Sequence, residues 1–312
     1  MVVALWIMPA HSHPLSACLV GEQLYVACEG QKAILVFNRQ GQVQHRIALG
    51  YRPSFVFAET GCERVYVTSP EAQGIDVIDA RQNRTVAHIG IPHALLGGVI
   101  DEGQREGYVC DAYKSILHVF RADTLEPGGM IHLSSPGFRP VLQSSHGKIY
   151  VGSSTEPGQS NRWSLTGGRV DIVDVRAKRL LKSVSVPGVT VRALAAAKDG
   201  FVYAVANVRG ELVRIDVAKD EIDPHFRVPI GRANDMVVDD TRGLVYLSCE
   251  GIDEQVAVVD IAAQRQVLRF HAGEAFMAAN RAQDGRIQRL YVPNYNRNFI
   301  CVVDLEDMFH EP

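Results

Sequence analysis

Arg64-Val-Tyr-Val-Thr68, Ser69-Pro-Glu-Ala-Gln-Gly74 and Ile75-Asp-Val-Ile-Asp79 follow one another without a break, and this stretch decides the fold. A short β-branched run, a polar loop and a second apolar run ending on a turn-forming aspartate read as two antiparallel strands. Thr85-Val-Ala-His-Ile89 supplies a third, and after Gly90-Ile-Pro92 the run 94–100 supplies a fourth that closes at an Asp/Gly turn. Short β-rich runs separated by Gly, Pro, Asn and Asp make an all-β unit.

The unit repeats. Its tyrosine returns as Tyr25, Tyr66, Tyr108, Tyr150, Tyr203, Tyr246 and Tyr291, at gaps of 41, 42, 42, 53, 43 and 45 residues. Self-similarity at a period of about 20 to 50 residues marks a repeat architecture. The strand after each tyrosine strand is apolar along most of its length, as in 170–174 and 256–260. That composition suits strands buried on both faces by stacked sheets. Five of these strands end on Asp79, Asp174, Asp216, Asp260 and Asp304, which are expected to start turns by accepting backbone NH bonds, not to act as catalytic acids.

With Val65-Tyr-Val-Thr68 followed by Ile75-Asp-Val-Ile-Asp79, echoed in Val170-Asp-Ile-Val-Asp174 and Val256-Ala-Val-Val-Asp260, the chain resembles the YVTN-repeat β-propeller family, also called surface-layer-type or lactonase-like propellers. The turns Gly50-Tyr-Arg-Pro53 and Gly137-Phe-Arg-Pro140 add to the likeness, which runs along the whole chain. The resemblance implies an all-β, seven-bladed propeller with four strands per blade. It does not imply one activity, because the family hosts enzymes, cofactor-bearing subunits and binding scaffolds. The seventh repeat holds only Leu290-Tyr-Val-Pro293 and Phe299-Ile-Cys-Val-Val-Asp304 after its inner run, so Val2-Val-Ala-Leu-Trp-Ile7 is expected to supply its outer strand. Such closure joins the termini in one blade and removes open sheet edges. It also places Met1 near the mature start. Residues 1–312 then form one domain, with an insertion at about 153–168 in blade 4.

Composition narrows the function. A net charge of −3 argues against a general nucleic-acid binder, which normally carries a basic excess. No stretch reaches the roughly 20 apolar residues of a membrane helix. The apolar start, residues 1–8, lacks the basic flank of a secretory leader, so a cytoplasmic location is expected, export being the alternative if a leader preceded Met1. Six cysteines (Cys18, Cys28, Cys62, Cys110, Cys249, Cys301) show no paired or zinc-like spacing and read as buried thiols. Walker, Rossmann, GxSxG and HExxH motifs are absent, which excludes the enzymes they mark.

In a propeller, the loops leading into each innermost strand gather on one face with the loops between second and third strands. The first set carries His11 and His13, Arg52, His93, Arg139, Arg192, Arg232 with Asn234, and Glu274 with Phe276. Converging arginines in a low-dielectric cleft attract carboxylate or phosphate; the competing expectation is that they cap a wet channel and pair with loop acids. The second set offers Glu29, Glu71, Asp111 with Tyr113 and Lys114, Asn207 with Arg209, Glu250 with Asp253, and Asn294-Tyr295-Asn-Arg297. The blade 4 insertion holds Arg162 and Trp163, suited to a lid, a surface loop or a subunit contact. His13 and His93 are the candidate acid–base residues. No cofactor is expected, the alternative being a divalent metal on His11, His13 and His93.

Three readings follow. One is a non-catalytic propeller that binds a small anionic or carbonyl-bearing molecule, or a protein partner, on this face. Another is a lyase, cyclase or lactone hydrolase using the same face, with histidine as base and arginine stabilising an oxyanion. The third is an accessory subunit beside a redox enzyme.

Overall fold

In the computed structural model, residues 2–59, 61, 63–153, 168–186, 188, 190–206, 210–249, 254–282 and 284–306 are described. They form seven four-stranded antiparallel sheets arranged as a ring. The chain opens with β1 (Val2–Ile7). Blade 1 is then β2 (Pro14–Val20), β3 (Gln23–Cys28), β4 (Ala33–Phe37) and β5 (Val43–Ala48). Blade 2 is β6 (Phe55–Ala58), β7 (Arg64–Thr68), β8 (Ile75–Asp79) and β9 (Arg84–Ile89), and blade 3 is β10 (Leu95–Asp101), β11 (Glu106–Asp111), β12 (Ile116–Arg121) and β13 (Pro127–His132). Blade 4 is β14 (Gly137–Gln143), β15 (Lys148–Ser153), β16 (Arg169–Asp174) and β17 (Arg179–Ser185). Blade 5 is β18 (Val191–Ala196), β19 (Phe201–Ala206), β20 (Glu211–Asp216) and β21 (Glu221–Pro229). Blade 6 is β22 (Ala233–Asp239), β23 (Leu244–Cys249), β24 (Gln255–Asp260) and β25 (Arg265–His271). Blade 7 is β26 (Ala278–Arg281), β27 (Ile287–Asn294) and β28 (Phe299–Asp304), completed on its outer edge by β1.

The closing strand pairs antiparallel with β28, Val2 opposite Asp304 and Ile7 opposite Phe299. Its Trp6 packs against Phe37 of blade 1 and Tyr291 of blade 7, at ring separations of 5.9 and 5.4 Å. A local parallel bridge between Ser16 and Phe276 ties the innermost edges of the same two blades. The core is therefore a ring too: seven buried apolar clusters, each lying between one blade and the next.

Repeated residues hold this ring by repeated chemistry. Six of the seven tyrosines are fully buried, and a buried hydroxyl needs a partner. Three find it in the turn after the third strand of the next blade: Tyr25 donates to Asn83 Oδ1 at 2.6 Å, Tyr150 to Asp220 Oδ1 at 3.2 Å, and the Tyr108 hydroxyl receives a bond from Lys178. Those turns begin on the expected aspartates. Asp79, Asp174 and Asp216 each accept two backbone amides two and three residues ahead, at 2.8 to 3.1 Å. Asp260 and Asp304 accept one each.

Candidate functional site

All innermost strands start on the same face of the ring, where five of them break register. The pairing with the second strand slips between Pro14 and Ser16, Leu95 and Gly98, Gly137 and Pro140, Val191 and Ala193, and Ala233 and Asp235. A bulge takes a residue off the ladder and re-aims its side chain. Leu15, Leu96, Phe138, Arg192 and Asn234 occupy those slips, and all five line one cavity of about 760 Å³. Rigid blades thus hold side chains that point where a regular strand would not send them.

The cavity has an aromatic floor. Phe55, Phe138 and Phe276, from blades 2, 4 and 7, stand 4.8 to 5.6 Å apart in tilted and edge-on arrangements. Rings from three such separated blades can meet only across the central channel, so they plug it.

Beside the plug, Arg139 of blade 4 makes an ion pair with Asp235 of blade 6, and its guanidinium lies 5.9 Å from the Phe276 ring. Asp235 is fully buried, and its other oxygen accepts the Met277 amide at 2.9 Å. Burial raises the Asp235 carboxyl above the ordinary aspartate range, the opposing pull of Arg139 and of the amides of Met277 and Met236 notwithstanding. Arg139 is therefore committed to the fold. Arg52, largely exposed, turns to Glu71, whose carboxylate accepts the Arg52 amide at 3.1 Å. The expected ring of free cations is not assembled: Arg52 and Arg139 pair with acids and do not line the cavity.

Arg192 and Arg232 line the cavity, and neither makes an ion pair with a carboxylate among the described residues. Arg192 stacks 5.4 Å over Phe138. Asn234 donates to the Glu274 carbonyl at 2.9 Å and fixes that loop. Across the cavity, Glu274 Oε1 accepts Asn296 at 3.2 Å, while its Oε2 is buried with no partner among the described residues. Burial raises the Glu274 carboxyl above the ordinary range, the Glu254 carboxylate adds to this, and the amides of Glu274, Tyr295 and Asn296 oppose it. A carboxyl of this kind accepts and releases protons nearer neutrality than a surface glutamate. Glu29, also in the lining, accepts the Tyr295 hydroxyl at 2.9 Å and Ser54 Oγ at 3.3 Å.

None of the three singled-out histidines lines the cavity. His13, with left-handed backbone, turns its ring to Tyr295, 5.0 Å between centroids, and to the Tyr295 carbonyl. His11 is exposed, its ring 6.4 Å from that of His13. His93 points instead into blade 3, where His93 Nδ1 and His118 Nε2 lie 2.9 and 3.3 Å from the same oxygen, Asp111 Oδ2. The His11–His13–His93 set is therefore not brought together, since each ring is drawn to a nearer partner. Burial lowers the His118 pKa, and the His93 and Lys114 charges add to this against the raising effect of Asp111.

Tyr113 is exposed and outside the cavity, its amide bonded to Asp111. Arg162 and Trp163, with Asn207, Arg209, Glu250 and Asp253, lie outside the described residues. Cys28, Cys110, Cys249 and Cys301 are buried free thiols; burial pushes Cys28 and Cys301 up to about 12, so neither is a thiolate nucleophile at neutral pH. Phe55, Phe138, Asp235 and His118 were not anticipated as site residues. The only signal for Phe138 and Asp235 is adjacency to Arg139 and Asn234.

No family model matches the chain, and no curated protein matches it. Among solved structures, a chain of Kuenenia stuttgartiensis hydrazine synthase superposes with a TM-score of 0.80 at 15% sequence identity, covering 96% of this chain and 97% of that one. Likeness at that identity carries the fold and nothing finer. The chain is an all-β, seven-bladed propeller.

Proposed function

We propose that this propeller, of the YVTN-repeat type, binds a small molecule bearing a carboxylate or a polarised carbonyl in the cavity over the phenylalanine plug. The observation that carries this reading is the pair Arg192 and Arg232, two guanidiniums in the cavity lining with no carboxylate partner among the described residues. A bidentate anion satisfies a guanidinium better than water does in a cleft with apolar walls. Leu15, Leu96 and the three phenylalanines give the ligand an apolar body to pack against. Pockets of this size with a few convergent polar groups suit small metabolites.

Glu274 favours a second reading, in which the bound molecule reacts. Its unpartnered oxygen and raised proton affinity suit a proton carrier for a lyase, cyclase or lactone-hydrolase step, with Arg192 or Arg232 at the developing oxyanion. In this reading Glu274 takes the part first expected of His13 or His93.

Thermal-shift titration with small mono- and dicarboxylates, and with their methyl esters as uncharged controls, tests the binding. The acids stabilise the protein, the esters do so less, and Arg192→Ala with Arg232→Ala abolishes the difference. Equal stabilisation of wild type and the double variant by the acids, or none of either, refutes it. On a lactone panel, turnover lost by about 10²- to 10⁴-fold in Glu274→Gln with binding intact selects the catalytic reading; absent turnover selects the binding one.

A further inference from the structure

We propose that His93, Asp111 and His118 form a binding site for one divalent first-row transition-metal ion in blade 3, separate from the cavity. One ligand atom from each residue lies within 4.8 Å of the others. Both imidazole nitrogens face a single oxygen, Asp111 Oδ2, at 2.9 and 3.3 Å. An ion held at about 2.0 to 2.2 Å by nitrogen and oxygen donors sets neighbouring donors a little over 3 Å apart. The observed spacing needs only side-chain adjustment to reach that. Two imidazoles and a carboxylate suit zinc, nickel, cobalt or iron better than calcium or magnesium, which prefer oxygen alone.

The surroundings orient the donors. Asp111 Oδ1 accepts the amides of Tyr113 and Lys114 at 2.9 and 2.8 Å, which fixes the carboxylate with Oδ2 toward the rings. Asp111 and His118 side chains are 2% and 7% exposed, whereas His93 is 22% exposed and leaves a way in from solvent. On binding, each neutral ring carries its proton on its other nitrogen, so the two close N···O contacts with Asp111 give way to three metal–ligand bonds without a redox step.

The same place in neighbouring blades separates this from ordinary bracing. His118 lies opposite Val109, as Asp76 lies opposite Val67 in blade 2 and Asp171 opposite Val151 in blade 4. In those blades the aspartate latches the loop leading into the blade, accepting Tyr51 at 2.8 Å and Ser134 at 2.6 Å. Asp76 also pairs with His88 Nδ1 at 2.7 Å and Asp171 also accepts the Ser134 amide at 2.7 Å, but in both blades each donor has a carboxylate oxygen to itself. Blade 3 instead brings two imidazoles onto one carboxylate oxygen, a convergence that bracing leaves unexplained and metal binding uses.

The test is metal binding by the full-length protein carrying no histidine tag, stripped with chelator and then given zinc or cobalt alone. Titration calorimetry should find one equivalent of zinc, and cobalt should give a visible ligand-field band. His93→Ala, at the exposed ligand, and Asp111→Asn should each weaken zinc by at least about 100-fold, beyond the loss typical of removing an outer hydrogen bond. His11→Ala with His13→Ala should leave affinity unchanged. Circular dichroism confirms that each variant is folded, and His118→Asn is the third ligand variant. The proposal is overturned if the folded wild type binds no zinc, if folded His93→Ala and Asp111→Asn still bind one equivalent at the original affinity, or if loss follows His11 and His13.

Discussion

Replacing Arg139 by methionine keeps the stem that packs on Gly97 and removes only the charge facing Asp235. The carboxylate left behind is fully buried and retains the Met277 amide but no cation. Breaking a buried pair in this one-sided way costs about 3–5 kcal/mol. Protonation of Asp235 sets a ceiling: neutralising an aspartate of ordinary pKa costs about 4 kcal/mol at pH 7 and about 1.5 kcal/mol at pH 5. Burial already raises the wild-type carboxyl despite Arg139, so the defect in Arg139→Met should stay below that ceiling at pH 7 and shrink by up to about 2.7 kcal/mol at pH 5. The sign follows from the proton count, because the variant's native state holds a proton that the unfolded chain has released at pH 7. Stability is then lost as pH rises from the ordinary aspartate value. Arg139→Met with Asp235→Asn should recover most of the loss and flatten the pH dependence, since an amide carries no charge to bury. Urea unfolding of the wild type and the two variants at both pH values measures this. A single-variant cost below about 1 kcal/mol at pH 7, or an equal cost at both pH values, refutes a structural role for the pair.

Two further expectations concern other groups. Tyr150→Phe should cost about 1 kcal/mol, because it removes one donor from Asp220 while Lys148 still serves both carboxylate oxygens, whereas Tyr246→Phe should be neutral or stabilising, its hydroxyl being buried with no partner among the described residues; comparable losses in urea unfolding would contradict the contrast. Glu274, raised in the folded chain, should make carboxylate binding weaken as pH rises through its raised value, since the protonated form donates to the ligand and the ionised form repels it; calorimetry on Glu274→Gln should give a flat profile, and a slope persisting there would assign it to another group.

The fold was legible because it is written seven times. A tyrosine strand and an aspartate-ended strand recurring at nearly constant spacing leave little choice of architecture, and the incomplete last repeat pointed to Val2–Ile7 as its missing edge. The cavity was legible only in part because it lies where the pattern fails. Phe138 with Arg139, and Asn234 with Asp235, are neighbours that strand alternation would send to opposite faces, but each pair straddles or abuts a bulge. Which of the two reaches the cavity depends on a register slip that no residue type announces. Asp235 acquires its partner from 96 positions earlier in the chain. His118 was hidden differently, in the middle of an apolar strand where a lone imidazole reads as filler until Asp111 and His93 are seen around it.

The two faces of the ring divide the labour, so substitutions on them should differ in effect. The turns after the third strands are tight, capped by aspartate and reached by tyrosine hydroxyls from the adjoining blade in three places. A substitution there disturbs a blade and its neighbour together, because the bond between them is lost with the turn. The opposite face carries the bulges, and a residue displaced by a bulge has already left the ladder. Changing its side chain costs no ladder bond; what is given up is local, such as the Arg192 stack on Phe138 or the Asn234 bond to the Glu274 carbonyl, so Leu15, Leu96, Arg192 and Asn234 can differ without unfastening the ring. Arg139 is the exception that tests this logic. It sits at the same level as those residues but is joined to buried Asp235 across the channel, so its replacement should fall on stability while replacement of Arg192 falls on ligand binding. A large loss of stability in Arg192→Ala would show that the bulged positions are structural after all.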